Sequence, residues 1–440
     1  MNTTQTPLND KRIIRAWAFF DWANSSYALT IAVAIFPAYY AAVTLDEVAV
    51  FNRPISNTAL YAFAISAAYL VLALFSPLLS GIADYSGRKM YFMRFFTFLG
   101  GLSCIGLAFF KGMDDTLPAT AAFNEWQIAI GVVFFMLATM GFAGSLVFYN
   151  AYLPQIATED QYDRVSAKGF AYGYIGSIIL LLINLVVIMK PDWFGIENES
   201  WGPRISFVMV GLWWMGFAFI PFRQLPKDQR VKVEDGLMKK GWQEIKKVWQ
   251  AIKIEQNIKS FLLAFFCYSA GVQTVLFLAA TFAETELAFD TTELILVVLI
   301  LQVVAIAGAH LFARVSRFRG NIFSLLIMLF IWIAICVGAY FVTVSWQFYA
   351  IASAVGLVMG GIQSLSRSTY SKLIPEETED TTSYFSFYDI LEKIAIVSGT
   401  FIFGLTDQLF GMRNSVLALA IFFIVGLIIL RKVKVEESVA

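Results

Sequence analysis

The sequence predicts an all-α membrane protein: twelve transmembrane helices in two pseudo-symmetric six-helix bundles. Three observations carry that prediction. Of 440 residues, 59% are hydrophobic and 15% charged, with a mean hydropathy of +0.69, whereas a soluble domain carries roughly 25% charged residues. Apolar runs of membrane-crossing length, about 20 residues, recur twelve times. A single long polar connection, residues 223–259, separates six of them from the other six.

In chain order the runs are residues 16–43, 58–82, 90–110, 126–153, 166–189, 204–222, 260–283, 292–313, 321–342, 347–371, 384–407 and 413–431. Lipid leaves backbone groups no water to bond, so each run is expected to be helical. The division is therefore an N-terminal bundle over 1–222, a cytoplasmic linker over 223–259 and a C-terminal bundle over 260–440. MNTTQTPLNDKRIIRAW leads into a segment too long and too interrupted for a signal peptide, with no small-residue cleavage site after it. It reads as a cytoplasmic tail.

Lysine and arginine set the orientation. With the N-terminus in the cytoplasm, the inner loops hold Lys11, Arg12, Arg15, Arg88, Lys89, Arg94, Arg164, Lys168, the 223–259 cluster, Arg314, Arg317, Arg319, Arg367, Lys372, Arg431, Lys432 and Lys434. The outer loops hold Arg53, Lys111, Lys190, Arg204 and Arg413, among the acidic Asp114, Asp115, Glu197, Glu199, Glu284, Glu286 and Asp290. This asymmetry fits the positive-inside rule with both termini cytoplasmic. Short loops favour a bacterial plasma membrane over a vacuole, and the one outer sequon, Asn198-Glu199-Ser200, does not decide between them.

Composition also excludes chemistry. Basic and acidic residues balance at 32 each, so no global field points to nucleic acid. Cys104, Cys267 and Cys336 are isolated, and His310 is the single histidine. Neither a disulfide framework nor a metal site is expected, nor a cofactor or an enzyme. His310 reads as packed or hydrated, with a proton relay as the alternative. No nucleotide loop is present, so transport energy is expected to come from gradients.

Within the linker, Trp242, Ile245, Val248, Trp249 and Ile252 recur at helical spacing, with Lys239, Lys240, Lys246, Lys247 and Lys253 on the remaining arc. That pattern predicts an amphipathic helix on the inner leaflet, either a tether between bundles or a docking element for anionic lipid or a partner. The halves echo each other weakly: YLPQIATED with FAYGY in one, LIPEETED with FSFYD in the other. Repeats of this kind imply a transporter with its site at the bundle interface near the midplane.

SGIADYSGRK joins the second and third runs, where Asp84, Gly87, Arg88 and Lys89 resemble the D-x-x-G-R-[RK] core of the major facilitator superfamily's signature loop. Gly87 permits a sharp turn, and Asp84 can face an arginine or the positive end of a neighbouring helix. The resemblance implies the major facilitator fold and a latch on the cytoplasmic side, with Asp84, Gly87, Arg88 and Arg367 as gating candidates. Ser80, Tyr85 and, in the second-half copy, Arg317 depart from the pattern, so a second latch is not expected. DWANSSYALT, NAYLPQIA, SAKGFAYGYIGS, LWWMGFAFIPF, YSAGVQTV, GGIQSLSRSTYSKLIP and FSFYDILEK resemble the vacuole-effluxer-like branch, comprising fungal vacuolar amino-acid effluxers and bacterial relatives. That resemblance spans nearly the whole chain and implies amino-acid efflux by analogy.

Ionisable groups within a span cost roughly 2.5 to 3.5 kcal/mol each, so they face a partner or a wet cavity. Asp21, Asn24, Ser25, Ala28 and Ala32 share one face of the first span. Asp389, Glu392 and Lys393 lie within one turn of the eleventh, where Lys393 can pair with Asp389 at i,i+4. Glu392 is left for a proton, a coupling ion or another cation. A charge cluster that biases which side is open, and a static packing pair, are the two readings of that turn. Tyr149 with Asn150, Tyr172 with Ser177, Tyr268, Gln273 with Thr274, Gln302 and Gln363 supply neutral polar groups. Asn24, Tyr149, Tyr268, Gln273, Gln302 and Gln363 are the substrate candidates, although Tyr149 and Asn150 also suit a gate and Gln302 the packing of span eight on span five. Arg367 lies close enough to the boundary to snorkel. Gly356, Gly360 and Gly361 permit close helix packing or a flexing gate, and Pro37, Pro77 and Pro221 are candidate kinks.

The expected function is secondary or facilitative transport, by alternating access and with protons as the candidate coupling ion, of a small polar solute such as an amino acid or small peptide. A non-transporting receptor or scaffold on the same fold, and a sugar or cation symporter of the superfamily, are the alternatives. A monomer in contact with membrane lipids is expected.

Overall fold

The computed structural model describes residues 7–44, 47–50, 53–111, 121–196, 201–228, 236–289, 291–376 and 378–435. Asp114, Asp115, Glu197, Glu199, Asp290 and the Asn198 sequon lie outside them. Twelve long helices follow one another among the described residues: α1 Lys11–Val43, α2 Asn57–Ser86, α3 Lys89–Gly106, α4 Ala121–Asn150, α5 Tyr162–Met189 and α6 Trp201–Gln224 in the first half. The second half holds α7 Gln256–Leu287, α8 Thr291–Arg319, α9 Asn321–Tyr340, α10 Ser345–Leu373, α11 Thr381–Phe410 and α12 Met412–Leu430. Eleven of these are long and apolar enough to cross a membrane; the twelfth, α11, carries Asp389, Glu392 and Lys393. Between α1 and α2, Glu47–Val50 pairs antiparallel with Arg53–Ser56, Glu47 opposite Ser56.

Two apolar cores form. One joins Trp17, Phe36, Phe96, Phe135 and Trp214 of the first half, and the other Phe261, Met328, Trp332, Tyr370 and Phe423 of the second. Small residues let backbones approach where the sequence suggested it. A Cβ on Gly360 would fall 2.0 Å from the Ala305 carbonyl oxygen, and one on Gly308 equally close to that of Leu357, so α8 and α10 are in backbone contact. Pro37 does not kink a regular helix. It sits just after a wide π-helical segment, Tyr27–Ile35, at the start of the last turns of α1, and such widened turns cluster at functional sites.

The halves meet through α2 on α11, α5 on α8 and α5 on α10. Their polar contacts gather at the end of the bundle where α1 starts and α12 finishes, the termini face. The linker helix, Leu237–Ile254, lies across that face. Its apolar residues do not all lie on lipid as the amphipathic pattern suggested. Ile245, Val248 and Ile252 are buried in protein, Gly241 is pressed against Gly81 of α2, and Trp249 stacks on Phe387 of α11 at 5.4 Å. Lys247 Nζ reaches Asp380 at 2.6 Å. Its hydrogen bond to that carboxylate raises the Lys247 ammonium pKa; burial first, then the Asp380 charge, pushes the Glu244 carboxyl up.

Candidate functional site

A cavity of about 350 Å³ lies between the halves, lined from α1, α2, α4, α5, α7, α8, α10 and α11. That volume falls in the range of small-molecule sites. Its walls rise through Ala32, Val33, Tyr61 and Val298 away from the termini face, and Asp21 and Arg367 line it toward that face.

Arg367 does not snorkel. It is 3% exposed, with Nη1 3.3 Å from Asp21 Oδ2, and it also donates from Nη1 to Asn150 Oδ1 at 3.3 Å. Nε donates to Ser166 Oγ and Nη2 to the Ser166 carbonyl, both at 2.9 Å. Its guanidinium carbon Cζ lies 4.3 Å from the centre of the Phe170 ring and 4.7 Å from that of Trp17. An isolated cation at this depth would be costly; a carboxylate, several oxygen acceptors and two aromatic faces offset that. Arg367 thus ties α10 to α1, α4 and α5, and Asp21 takes a further hydrogen bond from the Tyr149 hydroxyl at 2.7 Å.

Local sequence explains the fit. A Cβ on Gly169 would stand 2.5 Å from Asp21 Oδ2 and 2.9 Å from Arg367 Nη2, and one on Gly173 2.6 Å from Ser25 Oγ. The glycines of SAKGFAYGYIGS, spaced four and three apart, clear one face of α5 for α1. That spacing, together with Ser166 and the flanking Phe170 and Tyr174, was the available signal for the site's second partner.

Higher on the opposite wall, Gln273 Nε2 donates to Glu392 Oε1 at 3.0 Å. Lys393 pairs with Asp389 and stands 4.0 Å from Glu392. Three carboxylates (Asp21, Asp389, Glu392) thus meet two cations (Arg367, Lys393), and Glu392 is the carboxylate whose close partner is a neutral amide. Glu392, Lys393, Gln273, Gln302, Tyr268 and Gln363 all line the cavity. Gln302 Oε1 is buried without a hydrogen-bond partner among the described residues. The Tyr268 hydroxyl bonds Ser366 at 2.7 Å, and Gln363 Oε1 accepts from Tyr174 at 2.7 Å.

Other candidates lie elsewhere. Asn24 and Tyr149 are fully buried and lie outside the cavity lining, as does Asp389. Asn24 turns away because the polar stripe Asp21, Ser25, Ala32 continues along the other edge of its face, and it meets Ser145 instead. Tyr149 supports Asp21. His310 is exposed, with Nδ1 3.1 Å from the Ile306 carbonyl.

The termini face is held by two polar clusters. Asp84 accepts from Ser383 N at 2.7 Å, Ser383 Oγ at 2.8 Å and Thr382 N at 3.3 Å, so its carboxylate caps the positive start of α11. Gly87 makes the turn that aims it, at φ +62°. Arg88 is exposed; the residue that crosses to the other half is Lys89, donating to Thr381 Oγ1 at 2.8 Å. A second polar cluster lies on the same face, although the departures from the signature at the α8–α9 junction gave no reason to expect one. Asp163, near the start of α5, accepts from Asn321 Nδ2 at 2.8 Å, Ser316 Oγ at 2.9 Å and Lys372 Nζ at 3.0 Å. The carboxylate is supplied by α5, and its donors come from the α8–α9 junction (Ser316, Asn321) and from α10 (Lys372).

A family model described as vacuole effluxer Atg22 like matches residues 9–440. The chain is 30% identical to the MFS-type transporter YxiO of Bacillus subtilis (strain 168), covering 96% of this chain and 95% of that one. It is 25% identical to Autophagy-related protein 22 of Kluyveromyces lactis, covering 87% and 80% respectively. Among solved structures it resembles the major facilitator superfamily transporter FucP in the outward conformation, with a TM-score of 0.69 at 15% identity over 96% of this chain and 97% of that one. A bacterial homologue of the iron transporter ferroportin in its outward-facing state matches with a TM-score of 0.69 at 12% identity, covering 96% and 98%. At such identities the structural likeness shows the major facilitator fold alone.

Proposed function

The chain belongs to the vacuole effluxer Atg22-like family of major facilitator transporters, and on that premise we propose that it carries a small zwitterionic solute, an amino acid or short peptide, by alternating access. The observation that carries this reading is the buried Asp21–Arg367 pair at the floor of the cavity, with the amide-bonded Glu392 on its wall. A solute carboxylate can take Asp21's place on Arg367, while a solute ammonium meets Glu392. Removing one partner of a buried pair costs about 3 to 5 kcal/mol, so Arg367 parts from Asp21 readily only when another anion replaces it.

The lysine and arginine distribution supports a cytoplasmic termini face in a bacterial plasma membrane. The cavity then faces outward, with the Asp84 and Asp163 clusters closing the inside. Exchange of Arg367's partner loosens α10 from α1 and α5 and biases those clusters toward parting. A solute shifts the equilibrium only by binding the two states unequally, and a partner present in one state alone supplies that difference. Glu392 is the proposed proton site, since protonation removes the carboxylate in excess over the two cations.

Counterflow of labelled amino acids into proteoliposomes tests the reading. Uptake that Arg367→Gln abolishes is expected. Binding without flux, or flux confined to uncharged sugars, would overturn it.

A further inference from the structure

The linker helix uses only part of its circumference to hold the protein together. Gly241, Ile245, Val248 and Ile252 are buried, and Lys247 engages Asp380 on one edge. The other edge carries a separate pattern. Lys239, Lys246 and Lys253 recur every seven residues, so successive members lie about 20° apart around the helix. Trp242 and Trp249 recur at the same interval, forming a parallel row about 50° away, with Trp249 also stacked on Phe387 of α11. All five are exposed, Trp242 at 62% and Trp249 at 44%. Among the described residues no carboxylate pairs with any of these three lysines; Lys253 lies over the Trp249 ring at 5.0 Å.

This edge lies at the end of an exposed apolar helix face. A Cβ on Gly81 would meet the Gly241 carbonyl oxygen at 2.3 Å, which fixes the linker helix against the last turns of α2. Farther along α2, Leu70, Leu74 and Phe75 are exposed at 61%, 67% and 55%, as side chains facing acyl chains are. Indole rings partition to the headgroup level where a bilayer ends. Lysines beside them can lay their stems along the apolar zone and place their ammonium groups among phosphates. Near an anionic surface each lysine multiplies partition roughly fivefold, and three together roughly a hundredfold.

We propose that the row Lys239, Lys246 and Lys253, with Trp242 and Trp249, is a docking surface for the headgroups of anionic phospholipid, which seat the linker helix on the bilayer. The one-signed charge, its seven-residue repeat and the adjacent indoles all match a flat layer of phosphates bordering hydrocarbon. Because the same helix touches both halves, lipid bound here acts on the element that straps the closed termini face.

The full chain in nanodiscs tests this, with brominated phosphatidylglycerol or brominated phosphatidylcholine as part of the bilayer. The signal is the share of tryptophan emission lost on Trp242→Phe. Stronger quenching by the anionic lipid is expected, with the excess removed by high salt and by the combined Lys239→Gln, Lys246→Gln and Lys253→Gln substitution. Equal quenching by the two lipids overturns the proposal and points to a soluble acidic partner instead. An excess that survives the triple substitution also overturns it. The exposed substitutions are expected to leave thermal unfolding in phosphatidylcholine unchanged, and the salt dependence of the unsubstituted chain decides the matter should they not.

Discussion

Asp21 of the first helix and Arg367 of the tenth stand 3.3 Å apart, each almost wholly buried, at the point where the two halves meet beneath the cavity. Together they join α1 to α10 across 346 positions of sequence, and each is further held by its neighbours, Tyr149 and Ser166. The pair is thus a structural tie, and in the proposed transport cycle it is also the group that receives the solute carboxylate.

Separating those roles needs a double-substitution cycle. Arg367→Gln alone leaves the Asp21 carboxylate buried without its cation, and thermal unfolding in detergent is expected to fall by about 3 to 5 kcal/mol equivalent. Asp21→Asn with Arg367→Gln is expected to regain most of that loss while counterflow stays absent. Transport restored in the double variant would show that the pair is purely structural.

Gly169 controls the geometry of the pair from α5. An alanine there puts a methyl 2.5 Å from Asp21 Oδ2, and crowding of this kind costs about 1 to 3 kcal/mol. Counterflow by Gly169→Ala is expected to fall at least tenfold with the fold retained. Unchanged transport would mean that α1 and α5 can separate at no functional cost.

Glu392→Gln keeps a polar partner for Gln273 while removing the titrating group. Counterflow at matched pH is expected to persist at saturating solute with a raised half-saturation concentration, because the ammonium loses its carboxylate, and accumulation driven by an imposed proton gradient to disappear. Accumulation equal to that of the unsubstituted chain would exclude Glu392 as the proton site.

At the termini face, Asp163→Ala leaves Lys372, Ser316 and Asn321 without their shared acceptor. The equilibrium is expected to shift toward the state open on that face. Ser364→Cys, buried at the Ser166 contact, reports the shift through faster maleimide labelling in the Asp163→Ala background. Equal labelling rates in both backgrounds would show that this cluster does not hold the face shut.

Bridging Lys247→Cys to Asp380→Cys with a short bifunctional thiol reagent is expected to stop transport reversibly, since the linker helix then cannot leave the start of α11. Transport that continues through the bridge would show that the strap moves with α11 as one body.

Residue chemistry and one-dimensional periodicity determined part of this protein outright. Apolar run length requires membrane helices because lipid leaves no other partner for the backbone. The same logic marked Asp21, Glu392 and Lys393 as needing a wet or paired setting, and Lys393 with Asp389 was legible because i,i+4 is local. Gly87's turn and the acceptor role of Asp84 were equally local. The partners of Asp21 and Asp163 were not, since each pairs with residues some 130 to 350 positions away, and no helical period encodes which faces of distant helices meet. Arg367 is the clearest case. Its place near a boundary suggested an escape to water, yet α1 and α5 close over it. Asn24 and Tyr149, polar and correctly timed along their helices, fell outside the cavity for the same reason: chemistry and depth are written in the chain, but which side of a helix borders water is set only when twelve helices pack together.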